Sequence, residues 1–323
     1  MQKAYISELY TIMQNDSRVF SLLSDSGTDY DMILAREFPN RCINFGIAEE
    51  NKVAAASGMA AMGKIPFVYT SGAFLAYRAY EFIRDDICFQ DRNVKIIGMG
   101  SGLSWSQLGP SHHTTEDIAI LASTPNLMLL SPATPSELKK SVRIAYKHIG
   151  PVYIRMGMSG ESELVTIEYN SETDDRSLDK AIRVLDYEQP DAVVFSTGSI
   201  VSESLDAINR LKSENGYNIR LVHLPTIKPL DIEGILQAGK EADHIFTVEE
   251  HNINCGIGGL VSAVITKYGE CHAPLTQIGL NDCFAIGYGT HKQVLTANRL
   301  DSIGIYETVL EVLRKLNQRR KKS

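Results

Sequence analysis

Residues 44–51 read Asn44-Phe45-Gly46-Ile47-Ala48-Glu49-Glu50-Asn51, and a run of small residues follows from 53 to 62. The composition predicts a tightly packed helix with one carboxylate at its mouth, because small side chains let a helix approach its neighbours closely. Glu49 stands near the helix N-terminus, where the dipole favours a carboxylate. Burial among Ala54, Ala55 and Ala56 would instead favour the neutral acid. From spacing alone, Glu49 either caps the helix or carries chemistry. Further on, Ser71-Gly72-Ala73-Phe74-Leu75-Ala76-Tyr77-Arg78-Ala79-Tyr80 places Phe74, Tyr77 and Tyr80 three residues apart. On an α-helix these fall within roughly a third of the circumference. They read either as a core stripe or as an aromatic wall for a planar ring; such ring pairs add about 0.5–1.5 kcal/mol beyond area burial.

Around these two stretches, short apolar runs alternate with helical patterns. Strands are expected at 19–23, 66–69, 94–99, 127–130 and 152–155, with helices at 49–62, 75–88 and 136–148. This is the pattern of an α/β fold, a mostly parallel doubly wound sheet with helices on both faces. Residues 157–179 dissolve into Ser, Glu, Asp and Thr, the composition of a connector. Strand and helix then alternate again at 191–196, 201–211, 219–224, 244–248 and 257–268. The expected organisation is therefore a first domain at 1–160, a linker at 161–189 and a smaller α/β domain at 190–323. A length of 323 residues fits about two domains at ~150 residues each.

Composition narrows the function. A net charge of −7 argues against a nucleic-acid partner, which needs a basic face. The basic end at 314–322 reads as a solvated helix tail, the alternative being a phosphate or membrane contact. The five cysteines include no C-x-x-C pair, so neither zinc nor a disulfide framework is indicated. The first residues lack an apolar signal core, and no apolar run approaches ~20 residues. A soluble, cytoplasmic protein without a membrane partner is expected. Gly256-Ile257-Gly258-Gly259 opens a helix after a strand but lacks the G-x-G-x-x-G spacing of a dinucleotide loop, and reads as a tight turn.

Taken together, "FGIAEEN", "SGAFLAYRAY", "LGPSHHTTED", "SPATPSE", "GPVYIRMG" and "TVEEHNINCGIGG" resemble the C-terminal half of transketolase. That half comprises a pyrimidine-binding domain followed by the transketolase C-terminal domain, and the resemblance runs from about residue 4 to 316. It implies a thiamine diphosphate enzyme. The G-D-G motif that holds Mg²⁺ and the diphosphate in the full-length family does not occur here, so the chain resembles the separately encoded C-terminal subunit of a split transketolase. The resemblance implies an N-terminal partner subunit carrying the diphosphate and Mg²⁺ site, a heterotetramer, and sugar or sugar-phosphate substrates. It assigns no metal ligand to this chain.

The resemblance also implies roles. Glu49 matches the family glutamate that drives the cofactor's aminopyrimidine into its imino form. Phe74, Tyr77 and Tyr80 match its aromatic cofactor wall. His112 matches a histidine that acts on the substrate carbonyl, while His113 reads as a helix-start or supporting residue. Arg155 matches an arginine that grips the substrate's anionic end, the alternative being a structural salt bridge. Gly100 and Leu108 stand where the family has a histidine and an acidic residue that contact sugar, and Trp105 lies in the same loop. The expected reaction is transfer of a two-carbon glycolaldehyde unit from a ketose to an aldose. Alternatives are a half resembling 1-deoxyxylulose-phosphate synthase, a 2-oxo-acid dehydrogenase β-type subunit and a non-catalytic scaffold.

Overall fold

A computed structural model describes residues 1–25, 29–158, 161–174, 177–269 and 271–320. The end of the basic tail, 321–322, and parts of the 157–179 connector lie outside the described residues. Two sheets form the frame. The first runs in the order β10-β5-β6-β4-β3-β1-β2, where β1 is Val19–Leu23, β2 Cys42–Asn44, β3 Ile65–Ser71, β4 Lys95–Met99, β5 Met128–Leu130, β6 Val152–Met156 and β10 Thr226–Lys228. All its pairs are parallel except β10 with β5. The second runs β12-β11-β8-β9-β7, with β7 Ile182–Leu185, β8 Ala192–Ser196, β9 Ile219–His223, β11 Ile245–Asn252 and β12 Leu275–Leu280. Its one antiparallel pair is β7 with β9.

Strands β3, β4 and β6 are buried at every residue, which is why they read as continuous apolar runs rather than alternating ones. Helix Glu49–Ala61 lies against β3, burying Val53, Ala56 and Ser57. Helix Pro135–Lys147 starts where Thr134 accepts a hydrogen bond from the Glu137 amide, and Pro135 occupies the first turn, a favourable pairing of cap and proline.

Two short strands depart from the sequence reading. Strand β7 falls inside 161–189, the segment read as linker, and is a sheet edge held by β9. Strand β10 comes from the second half of the chain yet closes the edge of the first sheet. The two halves are therefore interlaced rather than strung in series. The 75–88 helix also differs: it is a π-helix at Phe74–Arg78, a single turn at Tyr80–Phe82 and a second π-helix at Ile83–Cys88.

Packing at the sheet centre depends on Gly98. A Cβ there would lie 2.1 Å from the Tyr153 hydroxyl oxygen, and that hydroxyl reaches Asp117 at 3.3 Å. Gly98→Ala should therefore destabilise the protein by about 1–3 kcal/mol through overpacking, a loss that urea unfolding would read.

Candidate active site

The carboxyl ends of β3 and β4 carry the site, the place where open parallel sheets accept ligands. Gly46, at φ +65°, turns the chain into helix Glu49–Ala61, and its amide is held by the Asn44 side chain at 2.8 Å. Glu49 thus becomes the first helical residue and is only 2% exposed. Its Oε2 accepts a hydrogen bond from Arg78 Nη1 at 3.0 Å, and Arg78 is itself 45% exposed.

From Glu49 the contacts run on without a break. The Arg78 guanidinium lies over the Phe74 ring, 4.6 Å from its centroid. Phe74 meets His112 edge-on at 5.0 Å, and Trp105 also meets His112 edge-on at 5.2 Å. His112 is set by a turn in which its amide donates to the Gly109 carbonyl, and Ser111 Oγ lies 3.0 Å from its Nδ1. Partial burial, together with the Arg78 charge, pushes the His112 imidazole below its ordinary pKa, so the neutral ring is favoured at neutral pH.

The three aromatics expected on one helical face do not share one. The π-helix bonds residue 79 back to 74, and this wider winding rotates Tyr77 away from Phe74. The Tyr77 hydroxyl donates to Glu116 Oε2 at 2.6 Å and accepts from the Glu116 amide at 3.1 Å. The Tyr80 hydroxyl is 3.2 Å from Thr124 Oγ1, with its ring packed on the core. Only Phe74 of the three joins the Glu49–His112 row. His113 is buried, and neither ring nitrogen has a hydrogen-bond partner among the described residues. Its burial favours the neutral form.

Arg155 is buried and paired within the chain. Expected to grip an anion, it is instead 2% exposed. Its Nε donates to both Asp117 oxygens at 3.0 and 3.1 Å, and its Nη2 to the carbonyls of Thr114 and Glu250 at 3.2 and 3.0 Å. A guanidinium so engaged with a buried carboxylate and two carbonyls is a structural clamp between the halves of the chain. The residue type signalled anion binding; the burial that cancels it arises only from the packing of helix Asp117–Ala122 and β11.

A second network lies beside the clamp. Glu250, also buried, accepts from the Leu103 amide at 2.9 Å and Ser199 Oγ at 3.0 Å, and meets His291 Nε2 at 2.8 Å. Burial works to raise the Glu250 carboxyl, but the His291 charge and hydrogen bond outweigh it and hold the group below its ordinary pKa. Burial likewise works to lower His291, and Glu250 outweighs it, so His291 is raised. The depressed carboxylate contributes stability above about pH 4.3 and loses it as pH falls through the folded value. The raised imidazole contributes fully below about pH 6.5 and loses it as pH rises through the folded value. The stability gap between the protein and its His291→Gln variant should therefore be widest between those limits and narrow on either side, as thermal melts across pH would reveal.

The Gly256–Gly259 turn is engaged by a side chain of the same chain. Glu249 accepts from the Ile257 and Gly258 amides at 2.7 and 3.0 Å, so the helix N-terminus is capped by the protein's own carboxylate, and a Cβ on Gly256 would fall 1.8 Å from it. Burial raises the Glu249 carboxyl to about 7. Gly100, at φ +80°, lies against Trp105: a Cβ there would come 2.8 Å from Cε3, so the indole fills space that a side chain at 100 would take. Among the described residues no cluster of three or more His, Cys, Asp or Glu could hold a metal ion, and no helix is long and apolar enough to cross a membrane.

Arg78 and Trp105 are the parts of this site whose partners the sequence does not indicate. Arg78 was in view only as part of the aromatic stretch, and nothing in its spacing signals a pair with Glu49, since the π-helix sets where it points.

Known proteins resemble this chain in sequence and fold. The transketolase pyrimidine-binding domain matches residues 1–159, and the transketolase C-terminal domain matches 182–305. One of the subunits of apulose-4-phosphate transketolase from Actinobacillus succinogenes is 33% identical over 86% of this chain and 86% of its own length. A putative transketolase C-terminal section from Methanocaldococcus jannaschii is 34% identical over 98% of this chain and 96% of its own. Among solved structures, a split-gene transketolase described as an inactive beta4 tetramer superposes with a TM-score of 0.84 at 30% identity, covering 96% of this chain and 97% of that one. With Glu49, Phe74 and His112 gathered at the strand ends of one domain and a five-stranded domain following it, the chain belongs to the thiamine diphosphate-dependent transketolase family, as a polypeptide built from its pyrimidine-binding and C-terminal domains.

Proposed function

We propose that this chain is the catalytic subunit of a two-subunit transketolase, moving a two-carbon glycolaldehyde unit from a ketose to an aldose. The observation that carries the proposal is the Glu49 carboxylate, buried at a helix mouth beside an aromatic ring, with a half-exposed arginine as its hydrogen-bond donor. Those residues fit an aminopyrimidine: Glu49 would hold or share a proton with its ring nitrogen, and Phe74 alone of the three aromatics would set the plane of the ring. Thiamine diphosphate, when bound, supplies the carbanion chemistry. Neutral His112, on the far side of Phe74, would donate to the substrate oxygen as negative charge develops there.

The partner in this account is an N-terminal transketolase subunit that brings the diphosphate site and Mg²⁺, assembled as a cytoplasmic heterotetramer. The relative from A. succinogenes is named for a phosphorylated sugar, but here Arg155 is committed to Asp117, and Gly100, Leu108 and Trp105 shape the loop after β4. The substrate-recognising groups therefore differ from those expected of a pentose-phosphate enzyme.

Calorimetry with thiamine diphosphate and Mg²⁺ tests the proposal, using this chain alone and then mixed with an N-terminal subunit. Tight binding confined to the mixture, followed by ketose-dependent turnover, is the expected result. Tight binding by the chain alone would overturn the divided site, and pyruvate decarboxylation in place of ketose cleavage would overturn the reaction.

A further inference from the structure

A cavity of about 610 Å³ opens between the two halves of the chain, lined on one side by Ser104, Trp105 and Glu161 and on the other by Ser199, Ser202 and His291. Its volume is in the ~300–1,000 Å³ range of small-molecule sites. Trp105 is its boundary with the site already described, since the same indole also meets His112.

One group in the cavity is unsatisfied. The Glu161 side chain is 6% exposed, and neither carboxylate oxygen has a hydrogen-bond partner among the described residues; the amino group of Met1, at 3.9 Å from Oε2, is beyond hydrogen-bond reach. The carboxylate lies over Gly157, where a Cβ would come 1.8 Å from Oε1, so the backbone makes room for it. A buried carboxylate without a donor is costly, and a ligand that brings donors would relieve that cost.

The charges select the ligand class. Lys292 is held by both oxygens of Glu203 at 2.6 and 2.7 Å, and His291 is held by Glu250. The two cations lining the cavity are thus each matched by a carboxylate, and Glu161, paired at 3.9 Å with the Met1 amino group and raised above its ordinary pKa by burial, leaves no free cation among these groups for an anion to meet. What the cavity offers is hydroxyls that donate and accept, one strong acceptor and an indole.

We propose that this cavity binds a neutral polyhydroxylated molecule, a sugar or polyol, whose hydroxyls donate to Glu161 while a C–H face rests on Trp105. The site is separate from the Glu49 pocket, and its occupancy does not depend on thiamine chemistry.

Trp105 is the chain's one tryptophan, so its fluorescence reports the site directly. Titration of the full chain with D-ribose and with xylitol should give a saturable change in emission, with D-ribose 5-phosphate binding more weakly. Glu161→Ala should weaken ribose binding about tenfold or more, the scale of one hydrogen bond to a charged acceptor. Ser202→Leu, at an exposed position of helix Val201–Asn215, should block the cavity from the side remote from His112 without disturbing the fold. Absence of any response to ribose and xylitol would overturn the proposal. So would a response that persists in both variants, because the ligand would then lie at His112 rather than in the cavity. Turnover with the partner subunit then separates two sources of the ligand: a raised acceptor KM in Ser202→Leu identifies the site with the tail of the aldose, and an unchanged KM identifies it with a separate sugar.

Discussion

Glu49→Gln, assayed in complex with an N-terminal subunit, should lose turnover by about 10²–10⁴-fold, the range in which a positioned acid or base contributes. The substitution preserves shape and can still accept a hydrogen bond from Arg78, but the group can no longer gain or release a proton at the pyrimidine nitrogen. Stability should change little, because the charge it gives up is paired with an arginine that is 45% exposed, and such pairs contribute roughly 0–1 kcal/mol. Intact melting together with lost turnover separates chemistry from folding. If the variant turned over normally, Glu49 would be a helix cap and the scaffold reading of the chain would gain.

The second large effect is expected at the clamp. Arg155→Met leaves the Asp117 carboxylate, 1% exposed, without its cation. Breaking a buried pair from one side costs about 3–5 kcal/mol. Denaturant unfolding should show a loss of that size, whereas the double variant Arg155→Met with Asp117→Leu should recover much of it, since no lone charge remains. An arginine that gripped substrate would give the opposite pattern, a raised KM with little change in stability. The assay thereby decides between the two roles that the sequence left open for this residue.

The contrast between Glu49 and Arg155 marks how far the sequence is legible here. Both are charged residues in recognisable motifs. Glu49 is followed by a small-residue helix whose burial and entry point are local, so its position could be read from its neighbours. Arg155 takes its fate from Asp117, Thr114 and Glu250, the last reached only through the packing of β11, and no local pattern announces them. The parallel strands were legible for a related reason: burial on both faces leaves an apolar run that needs no partner to be recognised. Short edge strands such as β7 and β10 have no such signature, because their identity lies in the strand they pair with.

The helix after β3 shows a different limit. An aromatic every third residue is consistent with an α-helix, and the sequence carries no marker for bonding five residues back instead of four. The consequence is chemical as well as geometric, because the wider winding separates Phe74 from Tyr77 and presents Arg78 to Glu49. The link from Leu103 to Glu250 spans 147 residues, and there too only the folded chain brings the partners together.

Strand β10 has a consequence for synthesis. A ribosome releases β5 long before it releases Thr226, and at ~5–20 residues per second the interval is roughly 5–20 s. During that time the nascent first sheet presents the open backbone of β5, a template for pairing with any other extended chain. The polypeptide therefore has a period of vulnerability written into its topology, closing only when its own later sequence arrives.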